Sequence, residues 1–196
     1  MGTKGVVYIA YGGEAQAEME RSRVTLEQHN DLPVTVAPVL PGMEPLSDKQ
    51  KSRQAKVRLF EWTPYRDTLY LDADTRVQGD VSGGFAILDG GWDLAIAPSV
   101  NQGEDWLWHV GEDEREETRR YYDLQPVQLQ GGVFFVRRNY LTETFFDAWA
   151  DEWRRWGDED QGALLRALKA CPVRLWMLGR DWNGGELVNH LFGRTR

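Results

Sequence analysis

The sequence predicts an α/β fold, a single domain with a mostly parallel, Rossmann-like central sheet flanked by helices. Three observations carry that reading. Short β-branched and aromatic runs alternate with longer helical segments through the first 75 residues, the pattern of strand–helix–strand units. The early runs end in glycine or aspartate turns, where α/β proteins gather ligands. The length, 196 residues, suits one domain spanning 1–196, and a chain of this size buries about 70% of its unfolded surface.

Val6-Val7-Tyr8-Ile9-Ala10 reads as a buried strand closed by Gly12-Gly13. Glu14 to His29 follows as a helix of modest amphipathicity, then Leu32 to Ala37 as a second strand. Gly42 to Gln50 reads as a loop, and Lys51 to Trp62 as one helix with Ala55, Leu59 and Trp62 at helical spacing. A third strand, Thr68 to Leu71, runs directly into Asp72-Ala73-Asp74. Trp92 to Ala97 is a further strand. Gly103 to Asp123 is a polar, acidic, helix-containing excursion over the surface, and its run Glu112 to Glu117 is expected to be a solvated face. Gly131 to Val136 is a strand. Leu141 to Trp156 is an amphipathic helix burying Phe145, Phe146, Trp149 and Trp153, and Gln161 to Ala170 is a helix that Asp160 is placed to cap. A short strand, Val173 to Trp176, follows.

Composition removes whole classes. Twenty Gly and eight Pro are ordinary usage, so collagen-like and low-complexity chains are excluded. The single cysteine, Cys171, supports no internal disulfide and no multi-thiolate zinc site, and reads as structural. A net charge of −8 disfavours capture of a nucleic-acid backbone. No apolar run reaches the ~20 residues of a membrane span, and the N-terminus lacks a signal-peptide pattern, so a soluble, cytoplasmic protein is expected. Nine Trp are mostly core packing, with Trp106 and Trp108 as candidate stacking residues for an acceptor.

No Gly-x-Gly-x-x-Gly, Walker loop, Gly-x-Ser-x-Gly elbow or zincin motif is present. The sharpest signal is Leu69-Tyr70-Leu71-Asp72-Ala73-Asp74-Thr75. Two carboxylates after a buried strand are costly to desolvate unless something offsets them, and a hard divalent cation does so well. An acidic turn is the bland alternative.

This motif, with its neighbours, resembles the glycosyltransferases of the GT-A fold, specifically the family 8, glycogenin-like group. Asp72-Ala73-Asp74 matches the Asp-x-Asp motif that holds a metal-bound nucleotide diphosphate, and the stretch Lys56 to Pro64 leading into it is similar in spacing. The resemblance implies that Lys56 approaches the donor's phosphates or sugar. His190-Leu191-Phe192-Gly193-Arg194-Thr195-Arg196 is similar to the family's His-x-x-Gly-x-x-Lys segment, with Arg196 in place of lysine. There the resemblance implies that His190 is a third metal ligand beside Asp72 and Asp74, while Gly193 and Arg196 contact the diphosphate. Ala10, Tyr11 and Gly12 stand where the family's first strand cradles the nucleoside. Gln130-Gly131-Gly132 stands where the family meets the donor sugar, with Gln130 for the usual Asn. Asp160-Gln161 is similar to the Asp-Gln pair beside the reacting sugar carbon.

The resemblance implies a metal-dependent (Mn²⁺ or Mg²⁺) transfer of a sugar from a nucleotide-sugar donor, UDP-linked by expectation, with retention. The acceptor is open among glycan, protein, lipid and modified nucleic acid. Asp160, Gln161 and Lys56 are the catalytic candidates. A sugar nucleotidyltransferase is one alternative, but Gly12-Gly13-Glu14 lacks the basic glycine-rich loop such enzymes carry. A non-enzymatic nucleotide-binding module is the other.

Overall fold

The computed structural model describes residues 2–193. Its backbone runs β1 (Gly2–Ile9), α1 (Gly13–Glu27), β2 (Val34–Val36), α2 (Asp48–Val57), α3 (Leu59–Trp62), β3 (Tyr65–Asp72) and β4 (Thr75–Val77). It continues through α4 (Ser82–Asp89), β5 (Leu94–Pro98), α5 (Glu112–Arg120), β6 (Leu129–Arg137), α6 (Tyr140–Trp156), α7 (Gln161–Ala170), β7 (Leu175–Met177) and β8 (Val188–His190).

Six strands form one sheet in the order β2-β1-β3-β6-β5-β7. Every neighbouring pair is parallel except those made by β6, which runs against both β3 and β5. Reversing β6 has a positional consequence. Its beginning, Gln130-Gly131-Gly132, lies at the same sheet edge as the carboxyl ends of β1, β3 and β5. A register shift between Ile96 and Ala97 bends β5 at that edge.

Side chains alternate across the sheet with period two, and both faces are covered. Val7, Ile9, Tyr70, Ile96 and Phe134 pack one face against Ala55, Leu59, Phe145, Trp149 and Leu164. Val6, Tyr8, Leu69, Ala95 and Phe135 pack the other against Met19, Leu26, Phe85 and Leu88. The result is a helix–sheet–helix sandwich, as the fold class predicts. The expected buried face of α6 is present in full: Phe145, Phe146, Trp149 and Trp153 are all in the core.

Several local expectations give way to tertiary contacts. The expected single helix 51–62 is broken at Arg58 into α2 and α3, and α2 begins inside the expected loop, where Ser47 and Gln50 form a capping box. Three-residue strands β4 and β8, which pair antiparallel, carry too little pattern to be read alone. Helix α4 carries two glycines and was not anticipated. The acidic excursion is not uniformly solvated: Glu114 and Thr118 are buried, bound to the fully buried Arg166 of α7. Trp106 is also fully buried, which removes it as an exposed stacking residue.

The glycines of α4 divide by what faces them. A Cβ on Gly84 would stand 2.1 Å from the buried Phe135 ring, whereas one on Gly83 would meet Trp182 at an ordinary 3.5 Å. Alanine favours a helix over glycine by about 1 kcal/mol, but overpacking a core costs about 1–3 kcal/mol. Gly84→Ala is therefore expected to lower unfolding free energy in urea and Gly83→Ala to leave it unchanged or raise it. Equal effects of the two would show that α4 does not sit this close to the sheet.

Candidate active site

The strand β3 delivers Asp72 as its last residue, and the next two residues turn the chain into β4. The Thr75 hydroxyl closes that turn by donating to the Asp72 carbonyl at 2.9 Å. Beneath it, Thr75, Ser22 and Tyr8 form a buried chain of hydroxyls with spacings of 2.8 and 3.0 Å. β4 then pairs with β8, with Thr75 opposite His190, which returns the histidine to the two aspartates. Asp72, Asp74 and His190 each offer one ligand atom, and these atoms lie within 4.8 Å of one another.

The His190 ring is held on both nitrogens. Its Nδ1 stands 2.7 Å from the Asn183 Oδ1, and its Nε2 stands 3.1 Å from Asp74 Oδ1 and 3.7 Å from Asp72 Oδ2. A carbonyl at Nδ1 selects the tautomer that carries its proton there, which turns the Nε2 lone pair toward two carboxylates. Three electron-rich atoms facing one another call for a cation, either a second proton on the ring or a metal. This donor set of two carboxylate oxygens and one imidazole nitrogen suits Mn²⁺ or Mg²⁺.

Residues 190–193 wrap Asp74. The Leu191 amide donates to the Asp74 carbonyl at 3.0 Å, and the Gly193 amide to its carboxylate at 2.6 Å. Phe192 stacks on His190 at 4.2 Å and holds a φ of 52°, an unusual conformation for a side chain of this size. Burial works to raise the Asp74 carboxyl, but the His190 ring and the Gly193 amide beside it outweigh that and draw the pKa down to about 2.

Across the cleft, Lys56 of α2 is buried between two acids. Its Nζ lies 3.4 Å from Asp72 Oδ1 and 3.1 Å from Asp160 Oδ2, and 4.9 Å above the Tyr70 ring. Tyr70 donates its hydroxyl to Asp72 Oδ1 at 2.5 Å, and burial, with the Asp72 charge, keeps that phenol protonated. Asp160 does not cap α7 with its side chain, contrary to the expectation from its position. Its carboxylate turns inward to Lys56 and Arg53, whose charges hold its pKa below the usual range against the opposing effect of burial. The indoles of Trp149 and Trp153 donate to the carbonyls of Asp160 and Asp158, which fastens this loop to α6. Gln161 donates to Gln130 Oε1 at 2.5 Å and accepts from Gln128 at 3.1 Å.

These groups line one cleft of about 630 Å³ that holds Lys56, Asp72, Ala73, Asp74, Gln130, Gly131, Gly132, Asp160, Gln161, His190 and Gly193. Ala10 and Tyr11 line a second hollow of about 500 Å³ with Val36 and Val39, while the preceding Ile9 lines the main cleft. The Tyr11 hydroxyl donates to the Pro38 carbonyl at 2.6 Å. Gly12 lines neither; it precedes α1 at a φ of 86°. Arg196 lies outside the described residues. Arg53, Glu159, His109 and Asn183 were not singled out from the sequence. Arg53 stands one helical turn before Lys56, and Glu159 is next to Asp160, so spacing alone could have found those two.

No protein-family model and no curated protein sequence matches the chain. Solved structures do. Over 92% of its length the chain is similar to mouse xyloside xylosyltransferase 1, covering 87% of that chain at 12% identity with a TM-score of 0.61. It is similar over 97% of its length to a glycosyltransferase involved in glycosylation of the major capsid of PBCV-1, covering 95% of that chain at 12% identity, again with a TM-score of 0.61. The bifunctional glycosyltransferase WbbM aligns with 93% of the chain at 12% identity and a TM-score of 0.67, and the chain spans 40% of its length. The shared architecture is the GT-A fold expected from the sequence. Among the described residues, no helix is long and apolar enough to cross a membrane.

Two outcomes follow from this geometry. A Cβ on Gly132 would stand 2.2 Å from the His190 ring and 2.7 Å from Asp72 Oδ2, whereas one on Gly131 would meet only Lys56 Nζ at 3.9 Å. Gly132→Ala is expected to weaken Mn²⁺ binding about 10–100-fold, read by electron paramagnetic resonance, with Gly131→Ala close to wild type. Equal affinities would sink the three-ligand site. The Asp74 pKa, about 2 when folded and 3.8 ordinarily, makes its charge stabilising above about pH 4, a contribution lost as pH falls toward 2. In chelator-treated protein, the stability gap between wild type and Asp74→Asn should shrink over that window. A gap independent of pH would contradict it.

Proposed function

We propose that residues 1–196 act as one GT-A-type domain that moves a sugar from a nucleotide-sugar donor, UDP-linked, to a hydroxyl acceptor, with retention. The observation that carries this reading is the meeting of Asp72, Asp74 and His190 with Lys56, Asp160 and Gln161 in one cleft at the sheet's carboxyl edge. That structures sharing the fold are glycosyltransferases supports it. Retention and the identity of the nucleotide rest on the family 8 resemblance.

Asp72, Asp74 and His190 would hold Mn²⁺ or Mg²⁺, which when bound supplies charge stabilisation to the departing diphosphate. In the reaction the bond from the anomeric carbon to the phosphate oxygen breaks, and its electron pair leaves with the nucleoside diphosphate. The acceptor oxygen bonds to the same carbon, and its proton leaves toward the departing phosphate. Lys56 sits where negative charge grows, and a pre-aimed cation of this kind lowers the barrier; the Gly193 amide, which donates to Asp74 here, is assigned to the diphosphate by resemblance alone. Arg196 joins them by resemblance. Asp160 and Gln161 would face the sugar, Gln130, Gly131 and Gly132 would form its floor, and Ala10 and Tyr11 would border the nucleoside, with Gly12 assigned there by resemblance alone.

Thermal melting with UDP, GDP or ADP, each with and without Mn²⁺, tests the donor site. At a hundredfold excess over its dissociation constant, a ligand adds about 2.7 kcal/mol, or roughly 5–10 °C for a chain of this size. The expected result is a UDP shift that requires Mn²⁺ and vanishes in Asp74→Asn. No metal-dependent shift with any nucleotide would overturn the reading. A shift without transfer from any donor tried would favour a nucleotide-binding module.

A further inference from the structure

Between β5 and β6 the chain crosses the mouth of the cleft, and one short stretch of it is built in an unusual way. Of residues 106–110, Trp106, Leu107 and Val110 are buried, while Trp108 and His109 line the cleft. Trp108 leaves 62% of its surface exposed, with the His109 ring edge-on to it at 5.6 Å. Left to itself, a tryptophan would fold toward the core.

The backbone holds it outward. Leu107 takes a φ of 50°, a left-handed conformation that a leucine adopts only where its surroundings impose it. Its amide donates to Gln128 Oε1 at 2.7 Å, and Gln128 in turn is tied to Gln161. Below, Arg119 lies 5.6 Å over the buried Trp106 ring, and α5 is locked to α7 through Arg166, Glu114 and Thr118. Strain and buried anchors together present one large flat aromatic face to the space where the transferred group must meet its acceptor.

Beside that face the cleft turns polar, with Gln161 in hydrogen-bonding reach of His109. Glu159, Asp160, Gln130 and Gln161 line the same cleft and present carboxylate and amide oxygens. Burial lowers the His109 pKa against the charges of Glu159 and Asp160, which favours a neutral ring able to accept or donate one hydrogen bond. A flat apolar surface beside hydrogen-bonding carboxylates and amides fits a pyranose, which has a C–H face to stack and a rim of hydroxyls to donate.

From this we infer that the acceptor is a carbohydrate whose pyranose ring stacks on Trp108 beside His109. The inference rests on the transferase reading above and names the acceptor class for it.

Saturation-transfer NMR tests it with methyl glucoside, galactoside, mannoside and xyloside, maltose and lactose, each with and without UDP and Mg²⁺. Wild-type protein should bind at least one of them. Trp108→Ala should weaken that binding about tenfold and Trp108→Phe less, as expected for loss or reduction of an aromatic face. The UDP melting shift with Mn²⁺ should persist in both variants. Undiminished saccharide binding in Trp108→Ala, no binding of any sugar to wild type, or transfer only to a polypeptide or lipid would overturn it. Loss of the UDP shift in wild type would instead overturn the donor reading, and the nucleotide-free saccharide arm would still decide the role of Trp108.

Discussion

Lys56 is a nearly inaccessible ammonium held between Asp72 and Asp160, and much of the molecule is arranged around it. A buried cation is costly unless carboxylates and hydrogen-bonding groups surround it, and removing one partner of such a cluster leaves the others uncompensated. Here the partners come from separate elements: β3 carries Asp72 and the loop before α7 carries Asp160. Helix α2, strand β3 and helix α7 are thereby fixed relative to one another at the point where the sheet ends. The indoles of Trp149 and Trp153 secure the same loop from behind. The surplus of acid at this edge is what makes a further cation beside His190 chemically reasonable.

The reversed strand β6 solves a different problem. A cleft at the carboxyl ends of parallel strands needs a floor that lets ligand approach the backbone. An antiparallel neighbour brings its amino end there, so Gln130-Gly131-Gly132 can supply one without side chains beyond the glutamine. Gly132 is required by the packing of His190 and Asp72, which would both collide with a Cβ. Thus the close fit of the acidic trio and the small residues of β6 are two sides of one steric condition.

Much of the fold was legible because buried strands of an α/β sheet are written as continuous apolar runs, and β1, β3, β5 and β6 all have them. Asp72 and Asp74 were legible for the same reason, as charges abutting such a run. His190 was not readable from local pattern: β4 and β8 are three residues each, and only the family resemblance tied the histidine to the aspartates. Asp160 was read both as a site residue and as a helix cap; the cap is absent, because the competing pull of Lys56 and Arg53 comes from a distant helix. Trp106 and Trp108 look alike in sequence, two residues apart in a polar segment, and only the left-handed turn at Leu107 separates a core residue from an exposed one.

The contact between His190 and Asp74 spans 116 residues, and that between Gly193 and Asp74 spans 119. Closing a loop of that length carries an entropy cost that no local contact repays in advance. A partly folded chain with β1, α1 and β3 in place would own the two aspartates yet hold a divalent ion little better than a free peptide carrying them. Tight binding would arrive only with the pairing of β4 and β8. Capture of the ion would thus report the completion of folding, and the ion, once bound, would weigh against reopening of that ribbon.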